Sequence, residues 1–199
     1  KLGIGDGNRI IVYDQFNFFA SARVWWMLRV MGQRDVKVLD GGLKAWTDAG
    51  GELEDLPPVP VERHFTARVR SDLLKDAGQM LAASQNKTHT IIDSRSAERF
   101  SGEAPEPREG LSSGHIPGSV CLPSDQLRTP EGRMKPASEL ATLLPNPSAA
   151  TITTCGSGVS AAVTALALAR LGNWDVAVYD GSWTEWASDP SRPIATGPA

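Results

Sequence analysis

The stretch Ala150-Thr151-Ile152-Thr153-Thr154-Cys155-Gly156-Ser157-Gly158-Val159-Ser160-Ala161 joins two kinds of local order. Ala150 to Thr153 is a short β-branched run, which predicts a buried strand. Ala161 to Leu171 is rich in alanine and leucine at helical spacing, with Gly172 as its C-terminal cap. Cys155 therefore sits at a strand tip, ahead of two glycines, at the threshold of a helix. The glycines let the backbone curl so that successive N–H groups converge on one point. The helix start adds unpaired donors and the positive end of its dipole. A thiol in that cradle is expected to be largely thiolate and nucleophilic, and an anion attached to its sulfur would be stabilised as well. The commoner fate of a lone cysteine is a buried, inert core position. Such a residue needs no anion-binding loop, so the glycines favour the reactive reading.

The pattern occurs twice. Shifted by 140 residues, Leu28 meets Leu168, Gly32 meets Gly172, Val36 meets Val176, Val38 meets Val178 and Trp46 meets Trp186. Asp40-Gly41 likewise meets Asp180-Gly181, and one extra residue in the first loop brings Asp14 opposite Cys155. Two copies of a strand–loop–helix–strand–helix module follow, one with a carboxylate at the loop and one with a thiol. In the first copy, strands at Ile10–Tyr13 and Val36–Leu39 flank a helix from Ala22 to Met31, and a short helix begins at Leu43. In the second, Val176–Tyr179 is the last strand. Upstream of it, helices are read over Asp72–Ala83 (with Ser71 as N-cap), Ser96–Phe100 and Pro136–Leu144, and strands over Thr88–Ile92 and Ser119–Leu122. Alternating strands and helices with short connections imply an α/β fold of parallel sheets flanked by helices. The expected division is 1–51 as the C-terminal half of a first domain that is incomplete in this chain, 52–65 as a linker, and 66–199 as a second domain carrying Cys155. The linker is marked by acids and by Pro57, Pro58 and Pro60. Both strands of the first copy are apolar enough to be buried on two faces, so a companion polypeptide is expected to complete that domain.

Composition narrows the function classes. With 199 residues, 41% hydrophobic and 22% charged, the chain can bury a substantial core. A formal net charge of −3 offers no electrostatic attraction to nucleic acid or an anionic membrane. No apolar run approaches membrane-spanning length, and Lys1-Leu2-Gly3-Ile4 does not resemble a signal peptide. Cys121 and Cys155 cannot make a disulfide framework. A reducing compartment suits them, which points to the cytoplasm, or to mitochondria in a eukaryote. His64, His89 and His115 lack metal-ligand spacing, and neither metal nor other cofactor is expected. The six tryptophans are expected to be buried packing groups.

Several motifs together resemble one family. They are Cys155-Gly156-Ser157-Gly158-Val159-Ser160-Ala161, Gly114-His115-Ile116-Pro117-Gly118, Tyr179-Asp180-Gly181-Ser182-Trp183-Thr184-Glu185-Trp186, and in the first copy Ala22-Arg23-Val24-Trp25-Trp26 and Leu39-Asp40-Gly41-Gly42. In order and spacing the chain resembles the rhodanese superfamily, and within it the tandem-domain 3-mercaptopyruvate sulfurtransferases. The resemblance implies tandem rhodanese-like domains with the active site in the second and its mouth between them. It implies that the Cys155 thiolate takes sulfur from 3-mercaptopyruvate, carries it as a persulfide, and passes it to cyanide or to a thiol such as thioredoxin, releasing pyruvate.

The resemblance also implies roles for particular residues. Arg99 and Arg108 fall where the family grips the substrate carboxylate and keto oxygen, a task suited to a guanidinium fork. Ser157 would bond the substrate carbonyl or relay a proton, while Gly156, Gly158, Val159 and Ser160 complete the loop. Without the resemblance, each arginine reads as a solvated surface charge and Ser157 as a helix cap. The family's serine works with a His and an Asp from the first half of the first domain, a region absent from this sequence. Asp14 implies that the first domain is catalytically silent. Arg95, beside Asp93, is expected to form a structural ion pair, His115 to be structural, and Cys121 to be a core residue.

The loop itself separates the alternatives. Thiosulfate-using relatives carry basic residues directly after the cysteine, whereas Gly156 and Ser157 are neutral and suit a singly charged keto acid. A cysteine phosphatase needs an arginine closing its loop, and the position six after Cys155 is Ala161. Thiosulfate sulfurtransferase and a non-catalytic sulfur-carrier or regulatory module remain the alternatives.

Overall fold

Two strand–helix–strand crossovers set the frame. In a computed structural model, residues 2–15, 18–56, 59–146 and 148–198 are described. Pro57 and Pro58 of the expected linker lie outside them. Strands Ile10–Val12 (β1) and Val36–Val38 (β2) pair in parallel, with Ile10 opposite Val36. Helix Phe19–Val30 (α1) connects them and Gly42–Asp48 (α2) follows. The second unit runs Leu74–Lys75 (β3), Ala77–Asn86 (α3), Thr90–Asp93 (β4), Ala97–Ser101 (α4), Ser119–Cys121 (β5), Ala137–Leu143 (α5), Thr151–Thr154 (β6), Val159–Arg170 (α6), Ala177–Tyr179 (β7) and Ser182–Ala187 (α7). Its five strands are all parallel, in the order β3-β7-β6-β4-β5. Parallel order puts every helix start, and so every positive dipole end, on one edge of the sheet. That edge holds Cys155.

The internal repeat is literal in the backbone. Helices α1 and α6 are both 12 residues long and start at Phe19 and Val159, the same 140-residue offset. Each is preceded by a left-handed residue, Phe18 at φ 62° and Gly158 at φ 77°, and ends before a left-handed glycine, Gly32 at 96° and Gly172 at 95°. The two helices pack on each other. Ala22, Trp25, Trp26 and Val30 of α1 share one cluster with Ala161, Ala162, Ala165, Leu168 and Ala169 of α6. The small alanines allow close approach, and the tryptophans fill the space this leaves. A second cluster, including Met80, Ile91, Ile116, Ile152, Tyr179, Trp183 and Trp186, forms a separate core in the second unit. Each fully buried large aliphatic group stabilises by about 1.5–3 kcal/mol.

Two expectations needed correction. The helix read over Asp72–Ala83 is a 3-10 turn at Ser71–Leu73, then β3, then α3. Asp76 and Gln79 form a capping box, a stronger start than Ser71, and Leu74 pairs with Val178 at the sheet edge. In this chain alone the first sheet is left partly uncovered, with Ile11 51% and Tyr13 58% exposed. Val24 and Met27 of α1 and its C-cap Met31 are exposed as well. Finally, Trp46 and Trp174 are exposed while the other four tryptophans are buried. Among the described residues, 51–70 form no helix or strand, and Arg68 and Arg70 N–H groups bond Met31 and Val30 carbonyls at the end of α1. No described helix is long and apolar enough to cross a membrane.

Candidate active site

Strand β6 is buried along its whole length and delivers Cys155 at its C-terminal end, 2% exposed. The loop from there to α6 is tied to the start of α7. Trp183 N–H donates to the Cys155 carbonyl at 2.9 Å, and Thr184 N–H and hydroxyl donate to the Gly156 carbonyl at 3.1 and 2.6 Å. Cys155 N–H donates to Ser182 Oγ at 3.2 Å, and that hydroxyl lies 4.0 Å from the sulfur while donating to the Tyr179 carbonyl at 2.8 Å. Ser182 is fully buried and left-handed at φ 50°. A serine held there stores about 1–3 kcal/mol of strain, which its hydroxyl contacts at the cysteine help offset.

The two arginines singled out in the sequence both reach this loop. A Cβ on Gly156 would stand 3.0 Å from Arg99 Nη2, so glycine is what lets the guanidinium lie against the backbone. Arg99 is held in place by Glu106, through Nε–Oε1 at 3.1 Å and Nη2–Oε2 at 2.5 Å. Exposed Arg108 donates to Thr184 Oγ1 at 2.9 Å, the same hydroxyl that bonds Gly156. Ser157 is exposed on the loop, Gly158 is buried, and Val159 and Ser160 are half-buried at the first turn of α6.

Glu106 is a member that the sequence did not reveal. It lies in a polar loop, where burial is unexpected, yet its side chain is only 2% exposed and also accepts Arg95 Nη1 at 2.8 Å. Arg95 is fully buried against Asp93 through Nε and Nη2, bonds the Gly114 carbonyl at 2.7 Å, and lies 4.4 Å from the Trp183 ring. Asp93, Arg95, Glu106 and Arg99 thus cancel in charge, and Arg108 adds one positive charge at the loop. Ser182, Thr184, Asp180 and Arg23 were also missed as site residues. All four stood inside quoted motifs, but only the fold shows which side chains turn toward the cysteine loop.

The remaining expectations concern bystanders. His115 is buried, stacked on Phe100 at 3.7 Å with Nδ1 at 2.9 Å from the Phe100 carbonyl, a structural position. Cys121 is half-buried on β5, and burial followed by the nearby Asp93 carboxylate pushes its thiol up to about 11. At neutral pH it is a poor nucleophile. In the first unit, Asp14 Oδ2 accepts the N–H groups of Ala20 and Ser21 at 3.1 and 2.9 Å, capping α1.

The family description "Rhodanese-like domain" matches residues 1–49 and 76–189. The chain belongs to the rhodanese family. It is 39% identical over 97% of its length to thiosulfate/3-mercaptopyruvate sulfurtransferase 2 of Arabidopsis thaliana, and 41% identical over 99% to thiosulfate sulfurtransferase of Rattus norvegicus. Among solved structures, SseA of Escherichia coli, a 3-mercaptopyruvate sulfotransferase, matches 91% of this chain at 38% identity and a TM-score of 0.78. The rhodanese chain spans only part of these proteins: 64% of the Arabidopsis sequence, 69% of the rat sequence and 69% of the SseA chain.

Proposed function

We propose that this chain is a sulfurtransferase that uses 3-mercaptopyruvate as donor and Cys155 as sulfur carrier. The observation that carries the reading is the loop: a buried cysteine at the start of α6, with Arg99 against Gly156 and Arg108 on the Thr184 hydroxyl. The Cys155 thiolate attacks the donor sulfur, the donor's C–S bond breaks, and its electron pair leaves as pyruvate enolate. The proton from the donor thiol ends on the enolate carbon, giving pyruvate and a Cys155 persulfide anion. The persulfide then gives its outer sulfur to cyanide, forming thiocyanate, or to a thiol such as thioredoxin, and the thiolate returns. N–H groups at the α6 start stabilise the persulfide, Arg99 and Arg108 hold the donor's carboxylate and keto oxygen, and Ser157 bonds the keto oxygen. No cofactor is needed beyond the covalent persulfide.

The charge balance supports a monoanionic donor, because among the described residues on that side of the loop Arg95 and Arg99 are paired with Asp93 and Glu106 while Arg108 bonds a hydroxyl. Thiosulfate, a dianion, is the second reading, favoured by the names of the rat and Arabidopsis relatives. The test compares the two donors at equal concentration with cyanide, reading pyruvate and thiocyanate. A higher kcat/KM for 3-mercaptopyruvate, with a +32 Da adduct on the Cys155 peptide, is the expected result. A preference for thiosulfate would move the assignment to the second reading, and an adduct without multiple turnover would move it to a sulfur-carrier module.

We further propose that residues 1–51, 52–65 and 66–199 act as silent half-domain, linker and catalytic domain, and that a companion polypeptide covers the apolar surface of Ile11, Tyr13, Val24, Met27 and Met31. That polypeptide would also bring the family's His and Asp to the loop. Denaturing electrophoresis and intact mass of the active preparation test this, and a single 21.3 kDa species with full activity would overturn it. A reducing compartment, cytoplasmic or mitochondrial, suits a free reactive thiol.

A further inference from the structure

Among the described residues, the first module hydrogen-bonds to the cysteine loop through one side chain. Arg23, on α1, extends its Nη1 to the Asp180 carboxylate and to the Gly158 carbonyl at 3.3 Å, with its guanidinium 4.6 Å above the Trp26 ring. Gly158 is the left-handed residue immediately before α6, three positions after Cys155. A Cβ there would stand 2.8 Å from both the carbonyl and carboxylate oxygens of Asp180 and 2.9 Å from Arg23 Nη1. Gly158, Asp180 and Arg23 therefore close on one another with no space to spare. The tie is reciprocal: Asp40, the repeat counterpart of Asp180, accepts the Met134 N–H at 2.9 Å and lies 3.8 Å from Arg170 of the second module.

Charge gives the contact a consequence for chemistry. An uncompensated Asp180 carboxylate beside a loop built to hold a sulfur anion would oppose that anion. Arg23 cancels it, and its bond to Gly158 ties down the left-handed turn immediately before α6. We infer that Arg23 is a positioning residue for Cys155, and that the silent module serves the reaction by supplying this cation across the interface. The inference rests on Cys155 being the reacting group, but not on the identity of the donor.

Other charged groups face the loop as well. Arg99 with Glu106, and Arg108 on Thr184, lie on one side, Asp93 and Arg95 lie beyond Glu106, and Glu185 of α7 folds over Gly181 next to Asp180. All stay constant in a comparison of Arg23→Met, Asp180→Asn and the double variant in the full chain. The readout is the pH dependence of Cys155 alkylation by iodoacetamide, followed by peptide mass spectrometry, which needs no sulfur donor. Arg23→Met should raise the midpoint by about one unit, so that alkylation at pH 7 slows by up to roughly 10-fold. Asp180→Asn should shift the midpoint the other way, and the double variant should return close to the parent. Opposite signs are the signature of charge, because a purely structural tie would disturb the loop in the same direction from either partner. Shifts of the same sign, or an unchanged midpoint in Arg23→Met, would overturn the inference. If Arg23→Met does not fold, Asp180→Asn alone decides, a fall in midpoint supporting the inference and a rise or no change overturning it. Failure of 3-mercaptopyruvate turnover in the parent would count against the proposed donor and leave this result standing.

Discussion

The two loops that begin α1 and α6 are built alike and hold opposite things. In each, a carbonyl just beyond the strand end accepts an N–H from the short helix that closes the module, Asp14 from Leu43 and Cys155 from Trp183, both at 2.9 Å. In each, the residue before the long helix is left-handed. The first loop fills its donor cradle from within, since the Asp14 carboxylate takes the N–H groups of Ala20 and Ser21. The counterparts in α6 are the N–H groups of Ser160 and Ala161, and among the described residues no carboxylate takes the place there that Asp14 takes in α1. In the proposed reaction those N–H groups would receive the anion that arrives on sulfur. The neighbours differ to match: Ser182, whose hydroxyl meets Cys155, is replaced by Gly42, whose Cβ would collide with the Asp14 carbonyl. A cysteine loop and a carboxylate-capped loop are thus one backbone with different occupants.

Converting one loop into the other should have the largest effect. Cys155→Asp gives α6 a carboxylate cap, so turnover should fall to background while the thermal midpoint is kept. Cys155→Ser should also abolish turnover with every donor, and substantial residual sulfur transfer in either variant would remove Cys155 from its role. Next come the cations that have no counterpart around Asp14. Arg99→Ala, losing a charge-assisted contact, should lower kcat/KM for 3-mercaptopyruvate by on the order of 10–100-fold, and exposed Arg108→Ala by about 10-fold. An unchanged kcat/KM in steady-state assays would make either arginine a scaffold element only.

The cap in the first loop should matter for stability rather than chemistry. Asp14→Ala removes acceptors from two helix-start N–H groups and should cost about 1–2 kcal/mol, read from denaturant midpoints. If that variant instead lost turnover at unchanged stability, the first module would not be silent. The smallest effect belongs to Cys121. Its folded-state thiol is raised from 9.0 to about 11. The folded protein therefore retains a proton that the unfolded chain loses, so any stability linked to it is intact below about pH 9 and is lost as pH climbs toward 11. Iodoacetamide at pH 7 to 8 should label Cys155 and spare Cys121, and Cys121→Ser should be close to neutral for turnover.

Most of the architecture was legible because its signals are local. Strand patterning, capping glycines and the 140-residue echo placed α1, β2, α6 and β7 within a few residues. The reading failed at Asp72–Ala83, where Leu73 and Leu74 suited a helix face but were taken by the core and by pairing with β7. At the site, Cys155 and its glycines announced themselves because a thiol at a strand–glycine–helix junction is a short-range pattern. Arg99 and Arg108 came from the family likeness alone.

The alphabet of this chain by itself determined the two modules, the parallel order and the place of the thiol, since propensity, periodicity and capping act within a few residues along the backbone. It could not show that Glu106 is buried to hold Arg99, that Ser182 turns its hydroxyl to Cys155, or that Arg23 reaches Asp180 from 157 positions away. Those depend on which charges and hydroxyls are left facing one another once two sheets and their helices have packed. Only the folded chain removes enough water to make such pairings strong, and only packing decides which partners remain to be paired.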